Sequence, residues 1–322
     1  MINKILAILI LSMLSVMFLS SCKISFSDES YYTERRALIL KDNLSILVPF
    51  DSLYYPAKFT SDSKYLIFYD YCLKKMDLSG NTIIVANRRA ELPFLNHDLS
   101  EKIIYNSNLI RKSDLFETNL IDLTQDNTRF YNIPYYTDDY QWIITTSVKN
   151  NNFGLHIINP DSLTMINLYK DTPFVSPVFD SDHFIYYFSK EDKAFNYNLY
   201  KYDLISKTTN LMDNNITRNP ISLISADGKY LVYTKSDTQI ACLNTQTAAV
   251  DLIYQNSSIN INKIQLSSDS TELYFLNNRK LININLLTKQ VTKIFISKSF
   301  SYFHLSPDNS TMYLIELYQK KM

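Results

Sequence analysis

Glycine is nearly missing, at three in 322 residues. A phosphate-cradling loop needs several glycines in close order, so P-loop and dinucleotide-type sites are excluded. Histidine is also scarce: His97, His156, His183 and His304 are dispersed, with no HExxH, and the three cysteines form no CxxC. A linear zinc site is therefore absent, and there is no GxSxG nucleophile elbow. Neither sign of charge is in excess, with 32 Lys+Arg against 32 Asp+Glu. That balance argues against a nucleic-acid partner held by bulk positive charge, and against an acidic solvating tail. No cofactor is expected. What the chain does have is aromatic mass: 25 Tyr and 18 Phe beside one Trp, far more than a disordered chain carries.

The N-terminus reads as an address. Lys4 precedes an uncharged apolar run of 15 residues, Ile5 to Leu19. A spanning helix needs about 20, so this run is short for a permanent anchor. It ends in Leu19-Ser20-Ser21-Cys22, which resembles the bacterial lipobox. The resemblance implies a signal peptide over 1–21, lipidation of Cys22 and a lipidated tether over 22–35. An ordinary signal peptide with a coincidental cysteine, or an uncleaved signal anchor, are the alternatives. The expected location is the cell envelope, outside the cytoplasm, attached to the membrane by the N-terminal lipid. Lys23 after the cysteine favours the outer membrane if the cell has one. Cys72 and Cys242 fall in distant units of the repeat described next, and read as buried small apolar side chains.

An internal repeat decides the fold class. A short apolar run, a turn with Ser and Asp, and a run rich in Tyr, Ile, Leu and Phe recur. The clearest copies are Ser61-Asp62-Ser63-Lys64-Tyr65-Leu66-Ile67-Phe68 and Ser225-Ala226-Asp227-Gly228-Lys229-Tyr230-Leu231-Val232-Tyr233. Others centre on Asp269 and Asp308, and weaker ones on Asp98, Asp138 and Asp180. These aspartates are expected to close hairpins by bonding their own backbone, rather than to bind ligands. Two further strand-like runs follow each hairpin, as in Asn198–Leu204 and Thr208–Met212. Four short antiparallel strands in a unit of about 41 residues describe one propeller blade.

The last unit stops at Met322 after its hairpin, while Arg36–Leu40 and Leu44–Phe50 are left over near the N-terminus. Together they complete one blade. The expectation is an all-β, seven-bladed β-propeller over 36–322, closed by pairing N-terminal strands with the C-terminal blade; six or eight blades are the alternatives. The Ser-x-Asp-Gly-Lys-Tyr-Leu-Val-Tyr turn and strand, with phrases such as Leu199-Tyr200-Lys201-Tyr202-Asp203-Leu204, resemble the WD-repeat-like units of the TolB-type propeller group. The resemblance covers the blades and implies the fold, not a function.

Site residues are harder to read. Each histidine sits in or beside a predicted strand, so a hydrogen-bonded structural role is the default. Asp180-Ser181-Asp182 and Asp138-Asp139 resemble calcium-ligand fragments but lie in hairpin turns. One rim of the ring, carrying the loops between second and third strands and between blades, collects Arg88, Arg89, Arg111, Arg218 and Arg279, with the aromatic pair Tyr135 and Tyr136. Arginine suits bidentate contact with carboxylate or phosphate, so this rim is the candidate surface for an anionic ligand or partner. The favoured reading is a non-catalytic scaffold for a protein or envelope component, more a binding protein than an enzyme. The alternative is a propeller-type lyase or hydrolase acting on an envelope glycan or lactone. Its catalytic groups would come from several blades into the central channel, where a linear motif cannot reveal them.

Overall fold

The computed structural model describes residues 31–321 apart from 42–43, 49–56, 61, 71, 80, 87–100, 107, 115–118, 125, 127, 133, 138–140, 181–182, 191–195, 218–219, 257–260 and 295–297. The signal segment, Cys22, Arg88, Arg89, His97 and Arg218 lie outside the described residues. Arg35–Leu317 forms one compact unit. The other unit is Met1–Glu34 with Tyr318–Met322, described only where its residues extend two strands.

Chain order begins with β1 (Tyr31–Lys41) and β2 (Leu44–Val48). Blade I follows as β3 (Lys58–Phe59), β4 (Tyr65–Asp70), β5 (Cys72–Asp77) and β6 (Thr82–Ala86). Blade II shows β7 (Glu101–Asn106), β8 (Leu109–Asp114) and β9 (Ile121–Asp122). In blade III the inner strand is split into β10 (Phe130–Tyr131) and β11 (Tyr135–Tyr136), followed by β12 (Ile143–Lys149), β13 (Asn152–Ile158) and β14 (Met165–Lys170). Blade IV is β15 (Val175–Phe179), β16 (Phe184–Lys190), β17 (Tyr197–Asp203) and β18 (Thr209–Ile216). Blade V is β19 (Ser222–Ile224), β20 (Tyr230–Ser236), β21 (Gln239–Asn244) and β22 (Val250–Gln255). Blade VI is β23 (Ile261–Leu266), β24 (Glu272–Asn277), β25 (Lys280–Asn285) and β26 (Val291–Ile294). The chain ends in β27 (Ser299–Leu305) and β28 (Thr311–Lys321), which join the first two strands in the order β2-β1-β28-β27. This sheet is blade VII, so seven blades close through pairing of the first and last strands. β1 starts at Tyr31, five residues before the expected run.

Two kinds of turn drive the repeat. In the first, a hydroxyl and a carboxylate lock each other: Ser225 Oγ donates to Asp227 Oδ1 at 2.7 Å, and the amide of Tyr230 donates to Ser225 Oγ. Thr60/Asp62, Ser267/Asp269 and Ser306/Asp308 repeat the pattern. The residue after each aspartate is left-handed: Ser63, Gly228, Ser270 and Asn309 have φ between 58° and 70°. Only blade V supplies the glycine this conformation favours. The second turn precedes the outer strand, and in blade IV it falls at the Ser206-Lys207 turn expected between Asn198–Leu204 and Thr208–Met212. Asp203, Asn244 and Asn285 accept amides two or three residues on, and the left-handed residues are Lys207, Ala248 and Lys289.

Alternate residues of the strands pack blade against blade. Ile264, Phe275 and Ile282 of blade VI meet Val232 and Ile240 of blade V. Tyr313 and Ile315 of blade VII meet Phe59 and Leu66 of blade I. Leu38 of β1 packs with Leu276, Phe300, Phe303 and Leu314. The turns join blades as well, since the Asp308 amide donates to Ser63 Oγ at 3.0 Å. Cys242 is buried and unpaired, as expected for a small apolar side chain, and burial pushes its thiol up to about 11.

Candidate functional site

The innermost strands of blades VI and I carry lysines, and between them β27 of blade VII carries Tyr302 and His304. Lys263 lies in β23, Tyr302 and His304 in β27, and Lys58 in β3. Lys263 and Tyr302 each stand four residues before the serine that opens the first turn (Ser267, Ser306), so both occupy one level of the wall. The Lys263 Nζ lies 3.8 Å from the centre of the Tyr302 ring and 5.6 Å from that of Phe303. Tyr302 Oη donates to the Ala57 carbonyl of blade I at 3.3 Å. The Phe59 ring lies 5.9 Å from the His304 imidazole.

The electrostatics of this wall are one-sided. Desolvation, with Lys58 as a second cause, brings Lys263 down to about 7. Desolvation also holds His304 well below its usual range, reinforced by the charges of Lys263 and Lys58. Burial raises Tyr302, which stays protonated at any ordinary pH. His304 Nδ1 is buried with no hydrogen-bond partner among the described residues. The nearby groups given for the ring are the aromatic Phe59 and the charges of Lys263 and Lys58. A desolvated Lys263 ammonium with a second lysine in its field attracts an anion. A neutral amine with a pKa near 7 is also a competent proton acceptor.

Of the rim residues expected from the sequence, Arg111, Tyr135, Tyr136 and Arg279 are described. Arg111 Nε donates to Asp122 Oδ1 across β8 and β9 at 2.6 Å, an exposed ion pair. Arg279 is exposed in the turn between β24 and β25 with φ 64°. These two stand on blades II and VI. Tyr135 and Tyr136 pair with Ile144 and Ile143 at the start of β12, remote from the Asn150–Asn151 turn. They therefore face away from the arginine-bearing rim, and the Tyr135 hydroxyl donates to the Pro177 carbonyl of blade IV. Lys263, Lys58 and Tyr302 were missed by sequence reasoning. The available signal was a lysine at the same inner-strand level in which blade V carries Ile221.

A second polar constellation is closed. Ser147 Oγ lies 2.6 Å from His156 Nε2, and His156 Nδ1 lies 2.6 Å from Asn167 Oδ1. Arg129 Nε donates to Ser147 Oγ at 2.8 Å. The consistent tautomer carries the proton on Nδ1 and accepts the serine hydroxyl at Nε2. Ser147, His156 and Arg129 are all buried, and Gly154 leaves no room above them, since a Cβ there would sit 2.6 Å from Ser147 Oγ. This is the structural histidine the sequence led us to expect.

Across the channel from blade VII, a cavity of about 320 Å³ lies among the inner strands of blades III, IV and V. Tyr135, Phe174, Ser176, Pro177, Val178, Ile221 and Ser222 are among the residues that line it, and no charged side chain does among the described residues.

No family model matches the chain, and no curated protein matches it in sequence. Solved structures do. An oligogalacturonate lyase from Vibrio parahaemolyticus superimposes with a TM-score of 0.60 at 11% identity, covering 89% of this chain and 96% of its own. An oligogalacturonate lyase in complex with manganese gives 0.63 at 11% identity, covering 90% and 96%. TolB from Acinetobacter baumannii gives 0.47 at 14%, covering 81% and 78%, and carries no weight at that distance. At these identities the likeness shows the fold. It also overturns the expectation of a binding protein more than an enzyme: two of the structures that superimpose above 0.5 are lyases.

The manganese of that second lyase finds no matching donor set on the inner wall of blades VI, VII and I. His304 faces two lysines, whose charge opposes a divalent cation. Among the described residues no three His, Cys, Asp or Glu side chains converge.

Proposed function

We propose that this protein is a propeller-type lyase acting on a carboxylate-bearing glycan of the cell envelope. The single observation that carries the reading is Lys263, a lysine on the channel wall brought to about 7 beside a second cation. The superposition on oligogalacturonate lyases supports the reaction class. Elimination next to a carboxylate needs an acceptor for the α-proton, a cation to take up charge on the carboxylate, and a donor for the departing oxygen. Neutral Lys263 Nζ removes the proton. The carbon's electron pair delocalises onto the carboxylate, neutralised by Lys58, and then forms the double bond as the β-carbon–oxygen bond breaks. Tyr302 Oη, kept protonated by burial, gives its proton to the leaving oxygen. Lys263 returns the abstracted proton to Tyr302 through solvent, so the cycle closes without an oxidant or a co-substrate.

The rest of the reading concerns place. Lipidation at Cys22 would tether the ring to the membrane outside the cytoplasm. Arg88, Arg89, Arg111, Arg218 and Arg279 would offer the long polyanion further contacts. The decisive test is turnover of uronate-containing oligosaccharides, followed by the ultraviolet absorbance of the conjugated unsaturated product. Absence of that product across pectic, alginate-type and glycosaminoglycan-type substrates would sink the proposal.

A further inference from the structure

The cavity opposite the cationic wall defines the unit next to the carboxylate. Ile221 stands four residues before Ser225, the same offset that Lys263 and Tyr302 keep from Ser267 and Ser306. Ile221 therefore shares its strand position with Lys263 and Tyr302, whereas Lys58 and His304 stand two residues nearer the turn. Their chemistry differs: blades VI and I present Lys263 and Lys58, whereas the described lining of the cavity on blades III, IV and V is aromatic, aliphatic and hydroxyl, with Lys170 behind it, its Nζ 5.2 Å from the centre of the Phe174 ring.

The cavity is also built rather than left over. Ser176, on its lining, has φ 43° in a strand whose register shifts between Val175 and Val178. A non-glycine residue in that region is strained and persists only where its surroundings fix it. Here they do: Ser176 Oγ donates to the Pro220 carbonyl, Ser222 Oγ donates to the Ser176 carbonyl at 2.8 Å, and Tyr135 Oη donates to the Pro177 carbonyl. Three blades thus hold one distorted segment against the hollow. About 320 Å³ is the low end for small-ligand sites, which run from roughly 300 to 1,000 Å³.

We propose that this cavity is a subsite for an uncharged sugar ring. Resting on the lyase reading, it makes the substrate a mixed glycan in which a uronate neighbours a neutral sugar, not an all-uronate polymer. An aromatic and proline surface receives the apolar face of a pyranose, and the hydroxyls of Ser176 and Ser222 and the surrounding carbonyls meet its rim. A second carboxylate placed there would be desolvated with no cation on the described lining to receive it.

Trp142, the chain's one tryptophan, packs edge-on against Phe179 of β15 with ring centres 5.4 Å apart, and so reports on this strand by fluorescence. Three trisaccharides serve as probes: all-uronate, all-neutral, and a uronate flanked by neutral hexoses. The mixed probe should bind the full chain about tenfold more tightly than the all-uronate one. Val178→Phe and Ile221→Phe, each filling the cavity, should abolish that preference, so that the mixed and all-uronate probes bind equally. Equal affinities in the unmodified chain, or a preference that survives both fillings, overturn the subsite. Failure of the lyase reading shows separately, as no unsaturated product from any probe. The subsite is then decided by the neutral probe on Lys263→Met: saturable binding lost on filling sustains it, and its absence overturns it.

Discussion

The Lys263 ammonium lies 3.8 Å from the centre of the Tyr302 ring, and its charge is opposed by Lys58. A ring face favours the charged lysine, worth about 0.5–2 kcal/mol, whereas desolvation and a second cation disfavour it. The second pair of effects dominates, and the amine releases its proton near neutrality. Elimination should therefore quicken as pH rises through about 7 and level off above it. Lys263→Arg keeps the cation but cannot lose its proton. Its expected rate loss is about 100-fold or more, in line with general-base contributions of roughly 10²–10⁴. An unchanged pH profile in Lys263→Arg would remove the base assignment.

The same lysine should cost stability. Its folded pKa of about 7 lies below its ordinary 10.5. Between those values the unfolded chain binds more protons, so stability rises with pH across the window. The penalty is full below about pH 7 and vanishes above 10.5. Lys263→Met should therefore raise the unfolding free energy, read from urea titration, by about 1–2 kcal/mol at acidic and neutral pH, and do little at high pH. A gain that is flat with pH would contradict the assignment.

Left-handed residues without glycine are a reserve of stability. Ala248, Ser270 and Lys289 have φ of 57–58°, where a Cβ is strained by roughly 1–2 kcal/mol. Replacing each by Gly should stabilise the chain by about 0.5–1 kcal/mol, because relief of strain exceeds the added unfolded-state entropy. Asp227 is held down to about 2, mainly by the Ser225 hydroxyl. Its contribution is complete above its ordinary 3.8 and lost as pH falls through about 2. Asp227→Asn should flatten that acid limb of the stability curve, read by thermal melts.

How far the sequence discloses this molecule depends on which residue pairs are local. The Ser225–Asp227 turn is two residues long, so its chemistry is visible in the chain, and the repeat of such turns yields blades and ring. Ring closure was legible because Arg36–Leu40 and Leu44–Phe50 lacked a hairpin and the last hairpin lacked partners. The turn at Ser206-Lys207 was legible as a gap between strand runs, but the caps Asp203 and Asn285 were not, because lysine occupies the position where glycine would have marked them. The cation cluster is different in kind. Lys58 and Lys263 are some 200 residues apart in sequence, and they meet only because blades VI, VII and I adjoin in the closed ring. Alternation in Ile261-Asn262-Lys263-Ile264 says strand, but not that one edge of that strand is a channel wall.

Gly154 tests the closed network of blade III. An added Cβ would stand 2.6 Å from Ser147 Oγ and 2.7 Å from His156 Nε2. Both neighbours are buried and bonded, so neither can swing aside cheaply. Gly154→Ala should destabilise by about 1–3 kcal/mol, the usual range for overpacking. His156→Ala should cost about as much by leaving the Ser147 hydroxyl without its acceptor. Elimination rates per folded molecule should be unaffected in both. A selective loss of activity at full stability would instead make this network part of the chemistry.

Closure of the ring rests on β1, whose Leu38 is buried among Leu276, Phe300, Phe303 and Leu314 and pairs with Leu47 of β2. Blade VII owes two of its four strands to this end of the chain, and the opposing apolar surface belongs to blades VI and VII. Leu38→Ala removes side-chain volume that no neighbour can refill without shifting a strand fixed on both sides. The expected cost is about 2–4 kcal/mol, within the range for buried leucine truncation. Lys41, exposed at the end of the same strand, gives the control: Lys41→Ala should stay within about 0.5 kcal/mol of the parent. If the ring closes through β1, the Leu38 variant should still unfold in one transition, because an open arc would expose the apolar faces of both terminal blades at once. Equal urea midpoints for the two variants would mean that β1 is not what holds the ring shut.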